Sequence, residues 1–329
     1  MKPAFSVLLF TVLSGAGLGA LAVISLFDFA SAAGLASPAS PEAWFHSVIV
    51  AVALVVIGLC SSTLHLANPR NAWRSASRWR TSWLSREAIV SLGLLTVATG
   101  YAVAWWLTAR DEFRLGLAAL TLALAWATLY CTAMIYASLK PIRQWHTSRV
   151  PVGYLLLGHA SGALVVAAVL RGHGLVATSL ATLALVLFAA AALAKLEYWR
   201  FIRGDERALT IEQAIGVSHG VRPQPIPRQR SATHSVMAAR LLDTGHSRDT
   251  FLTREFVVSF TRRGRTLAQV IMWTFGFGLP AIWLTWGLAR WQGAMIATLA
   301  CMIGMLAERW LFFADARHTV RLYHGDRTT

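Results

Sequence analysis

Apolar runs of about 20 residues recur eight times in this chain, near 4–27, 44–66, 87–108, 114–139, 151–170, 175–199, 266–289 and 293–314. As a helix, a run of that length crosses the hydrocarbon of a bilayer, where every backbone polar group must be paired within the protein. Only 14% of the 329 residues are charged, against about 25% in a soluble domain. The pattern predicts an all-α, polytopic membrane protein with eight transmembrane helices. The first run is long and lacks a small-residue cleavage site followed by a soluble domain, so it reads as a retained helix.

Charge orients these helices. The net charge of +15 would suit nucleic acid in a soluble chain, but here it reads as the arginine bias of cytoplasmic loops, and no nucleic-acid partner is expected. The loops on one side and their edges carry Arg110, Arg114, Arg171 and Arg290, and the remaining Lys and Arg lie on the other side with both termini. That asymmetry predicts cytoplasmic termini.

The chain also echoes itself. Leu84–Ser91, LSREAIVS, precedes the third run, and Leu252–Ser259, LTREFVVS, precedes the seventh. Two four-helix halves in a parallel repeat would follow, since an even number of spans separates the copies. The expected organisation is 1–150 as the first half, 151–203 as spans five and six, 204–265 as a cytoplasmic insertion with an amphipathic lead-in, and 266–329 as spans seven and eight with a short tail. Ser85 and Thr253 read as helix N-caps, with Glu87 and Glu255 in the first turn beside the positive end of the helix dipole.

Chemistry concentrates in His65–Glu87, between the second and third runs. Arg70, Arg74, Arg78, Arg80 and Arg86 alternate there with Trp73, Trp79 and Trp83. His65 stands where lipid gives way to water, and an imidazole at that depth can both donate to a quinone-type carbonyl and relay a proton. His65, Arg70, Trp83, Arg86 and Glu87 form the candidate ligand set. Arg74, Arg78, Arg80, His146, Arg254, Glu255, Glu308 and Arg309 form the candidate docking set for a soluble partner. Cys60, Cys131 and Cys301 stand singly in apolar runs, so no iron–sulfur cluster, disulfide framework or metal site is expected of this chain. A haem held by His65 and His159 is poorly supported, and none is expected.

PAFSVLLFTVL, HLANPRNAW, SWLSRE, WHTSRVPVGYLLLGHASG, AKLEYWR, TIEQAIG, FLTREF and ERWLFFADARH resemble the membrane-anchor subunits of dimethyl-sulfoxide-reductase-type molybdoenzymes. The likeness runs from the first span to the last. Within that family the chain is most similar to anchors of cytoplasmic sulfite dehydrogenases. The resemblance implies a bacterial inner-membrane subunit that binds ubiquinone or menaquinone, with His65 in the family's quinol-binding place. It implies a ferredoxin-like iron–sulfur subunit and a molybdopterin catalytic subunit as partners, sulfite oxidation as the reaction, and no haem in this chain. An anchor that takes electrons from quinol for S- or N-oxide reduction is the alternative. A transporter or a purely structural anchor is the rival of another class, although no acidic midplane cluster points to a conduction path.

Overall fold

The computed structural model describes residues 3–36, 39–64, 69–176, 178–204, 261–286, 291–319 and 322. Among them, eight helices are long and apolar enough to cross a membrane: α1 (Phe5–Ala32), α2 (Pro41–Thr63), α3 (Trp83–Trp106), α4 (Asp111–Ala137), α5 (Arg149–Gly172), α6 (Thr178–Arg203), α7 (Arg262–Trp286) and α8 (Trp291–Ala314). A 3₁₀ helix, Pro69–Arg78, precedes α3. His65, Arg254, Glu255, Thr253 and nearly all of the expected insertion lie outside the described residues, as does the side chain of Arg70. The expected amphipathic lead-in, 253–265, is described only from residue 261, where Arg262–Arg265 form the first turn of α7.

α1 is the hub, with α2, α4, α5 and α8 all packed on it. In the first half α1 packs on α2, α2 on α3, α3 on α4 and α4 on α1. In the second, α5 packs on α6, α6 on α7, α7 on α8 and α8 on α5. The halves meet mainly where α1 crosses α5. Glycine permits that crossing: a Cβ on Gly19 would overlap the Gly158 carbonyl, and one on Gly162 the backbone of Gly19 and Ala20. Between lipid-immersed helices there is no hydrophobic drive to associate, so such close backbone contact supplies much of the attraction.

α7 is irregular for a local reason. Pro280 has no N–H to give to the carbonyl of Gly276, and residues Met272–Gly278 widen into a π-helical turn. The Cys301 thiol of α8 donates to the Gly276 oxygen at 3.8 Å, and Gly304 of α8 lies directly against Gly276. After α8 the chain folds onto the α4–α5 connection: Arg317 N donates to Gln144 Oε1 at 3.1 Å and Thr319 N to the Pro141 carbonyl at 3.0 Å.

Sequence reading ended the first span before Asp28. α1 in fact runs to Ala32, and Asp28 is buried. It accepts from Arg114 at 3.1 Å and from the Tyr101 hydroxyl at 2.8 Å. Arg114 also reaches Asp111 at 2.6 Å and lies over the Trp105 ring. A lone aspartate would be costly at that depth, and the arginine is what lets the helix continue.

Candidate functional site

The face that carries the starts of the odd-numbered helices is where the predicted residues gather, and the structure divides them. Arg74, Arg78 and Arg80 are exposed. Arg74 lies over Trp73 at 5.5 Å and Arg80 over Trp79 at 5.3 Å, which holds both cations at the surface. Arg86 lies over Trp83 at 4.3 Å, and its guanidinium donates to the carbonyls of Trp79 and Arg80 at 2.9 and 2.8 Å. It therefore clamps the entry to α3. His146 is exposed and its Nδ1 meets the Ala137 carbonyl at the end of α4, at 2.7 Å.

Ser85 is not the N-cap of α3. Ser82 is, its hydroxyl accepting from the Ser85 amide at 3.4 Å. Because the helix starts at Trp83, Ser85 and Glu87 move a turn inward, and both are buried. The Glu87 carboxylate turns into the seam between α3 and α4 and accepts the hydroxyl of Thr132. Among the described residues no cation pairs with it. Trp83, one turn before Glu87, meets Tyr130 edge-on at 5.8 Å. These two aromatics are partly exposed, while Glu87 and Thr132 are buried.

Glu308 and Arg309, expected at the docking surface, are corrected by their burial, at 1% and 6% exposed. Glu308 bridges Lys195 of α6 and Arg309, and Arg309 stacks on Tyr154 of α5 at 4.2 Å. A carboxylate between two cations satisfies the charges that burial would otherwise penalise, so the trio ties α5, α6 and α8 together and offers a partner almost no surface. Tyr136 of α4 stacks on Tyr154 at 5.9 Å, and Trp145 stacks on Phe312 at 5.5 Å. A buried polar and aromatic layer thus runs beneath this face.

Two clefts flank Arg309 and Tyr154. One lies between α5, α6 and α8, the other between α1, α5 and α8, and each has a volume of about 20 Å³. That admits a water.

Sequence reasoning missed Thr132, Tyr154 and Asp28, and did not join Lys195 to Glu308. Thr132 and Tyr154 carry no charge to betray them, and Lys195 finds Glu308 from 113 residues away in the chain. Asp28 and Arg114 had one signal, each being a charge at a span edge on the same side. His159 is engaged locally, with Nδ1 meeting the Leu155 carbonyl at 2.7 Å and Nε2 accepting from Trp126 at 2.9 Å.

Known proteins place this architecture. The chain is similar to one of the subunits of the sulfite dehydrogenase of Allochromatium vinosum, with 36% identity covering 98% of this chain and 99% of that protein. No solved structure matches. The family model for the DMSO reductase anchor subunit (DmsC) matches residues 1–314. Eight apolar helices and a match over nearly its whole length make this multi-pass membrane protein a member of the DMSO reductase anchor subunit family.

Proposed function

We propose that the chain anchors a sulfite-oxidising molybdoenzyme complex in the bacterial inner membrane and passes its electrons to quinone at the α3–α4 seam. The observation that carries this reading is Glu87, a carboxylate buried at 3% exposure, bound by one hydroxyl and paired with no cation among the described residues. Glu308 shows what a structural carboxylate looks like in this protein, held by two cations. An unpaired carboxylate within a span is retained for function by default, and reduction of a quinone takes up two protons with two electrons. Glu87 delivers a proton at the seam, Trp83 and Tyr130 offer aromatic faces to the ring, and His65, which follows Leu64 in the chain, serves as the second polar contact. The exposed arginine and tryptophan shelf receives an iron–sulfur subunit, behind which stands the molybdopterin subunit. Both termini and the shelf face the cytoplasm. The 36% identity to a sulfite dehydrogenase subunit supports sulfite as the electron source.

The test is to purify the complex with Glu87→Gln or His65→Ala and compare sulfite oxidation coupled to a quinone analogue with oxidation coupled to a soluble dye. Quinone coupling is expected to fall while dye coupling holds. Equal retention of both activities would refute the seam as the quinone site, and quinol-driven S-oxide reduction without sulfite oxidation would reverse the assigned electron flow.

A further inference from the structure

At the opposite face, the ends of α5 and α7 and the start of α6 enclose a cavity of about 220 Å³, lined in part by Arg171, Leu175, Thr178, Trp283 and Thr285. Arg171, Trp283 and the start of α6 line it. Arg171, in the last turn of α5, has no carboxylate partner among the described residues. Trp283 is 7% exposed, and its buried indole nitrogen has no hydrogen-bond partner among the described residues. Thr178 and Ala181 bring the first turn of α6, a 26-residue helix whose N-terminal amides carry partial positive charge, to the same wall. Among the described residues no acidic side chain lines the cavity. A half-buried guanidinium, an unpaired indole N–H and a helix N-terminus together match an anion with several acceptor oxygens.

Depth identifies the anion. Arg171, Thr178 and Thr285 all lie within the terminal turns of their helices, which places the cavity at the interface where lipid phosphates reside. Below it, Val186 on α6 and Phe275, Leu279 and Ile282 on α7 expose apolar surface along which acyl chains can lie. We propose that this cavity binds the phosphodiester of an anionic glycerophospholipid. Arg171 pairs with the phosphate, the Trp283 indole donates to one of its oxygens, and the bound lipid fills the space between α5, α6 and α7 at this face.

The test uses the full chain in its complex, extracted in detergent and stripped of lipid, then titrated with phosphatidylglycerol or phosphatidylcholine of identical acyl chains. Native mass spectrometry reads the bound lipid. Phosphatidylglycerol is expected to bind about tenfold more tightly, the scale of one charge-assisted contact. Arg171→Gln should erase that preference, Arg171→Lys should keep part of it, and Trp283→Phe should weaken retention severalfold. Equal binding of the two lipids by the unaltered protein would overturn the proposal without recourse to any variant. So would an unchanged preference in Arg171→Gln, displacement of phosphatidylglycerol by millimolar inorganic phosphate, or its displacement by a quinone analogue.

Discussion

Glu87 of α3 and Thr132 of α4 meet in the buried seam between those helices, and among the described residues the threonine hydroxyl is the partner the carboxylate has there. Glu87→Gln keeps the shape and a hydrogen bond to Thr132 but removes the proton-exchanging group. Quinone-coupled turnover should fall about 100-fold, the usual worth of a positioned acid–base group, with dye-coupled turnover unchanged. Thr132→Val leaves the carboxylate without its donor and should lower the stability of the chain by about 1–3 kcal/mol, read as the thermal midpoint in detergent.

The Lys195–Glu308–Arg309 trio makes a sign-dependent prediction. Glu308→Ala strands two buried cations, and the cost should be about 3–5 kcal/mol. Lys195→Met with Glu308→Gln removes one charge of each sign and should recover part of that loss. Thermal unfolding of the single and double variants measures the coupling. Strict additivity would show that the ion pair does not act as a unit.

Glycine positions in α1 should split sharply. A Cβ at Gly15 meets nothing within 4 Å, whereas one at Gly19 overlaps the Gly158 carbonyl. Gly15→Ala should therefore be neutral, and Gly19→Ala should destabilise by about 1–3 kcal/mol through overpacking. Comparing the two thermal midpoints tests whether the α1–α5 crossing holds the halves together.

The exposed shelf should act through long-range charge. Replacing Arg74, Arg78 and Arg80 together by Gln should weaken co-purification of the partner subunits and flatten its dependence on salt, because screening at about 0.15 M already limits surface attraction to roughly 8 Å. The midpoint of the chain itself should not move, since these side chains are exposed.

Composition and run length were enough to read eight helices, their limits to within a few residues, and the membrane as their solvent, because a lipid-crossing segment must be long, apolar and self-satisfied in its backbone. The family was legible in blocks such as ERWLFFADARH. Helix starts were less so. Ser82 and Ser85 both precede apolar residues, and only the geometry of the first turn selects Ser82 as the cap.

That choice reaches back to the site. A single sequence shows that Glu87, Lys195, Glu308 and Arg309 lie near span ends on one side. It does not show which of them meet, since pairing depends on which helices are neighbours and which face each one turns inward. Among the described residues, tertiary packing gave Glu308 two cations and left Glu87 with one hydroxyl. Burial makes that difference matter, because an unpaired carboxylate costs little in water and a great deal within a helical bundle.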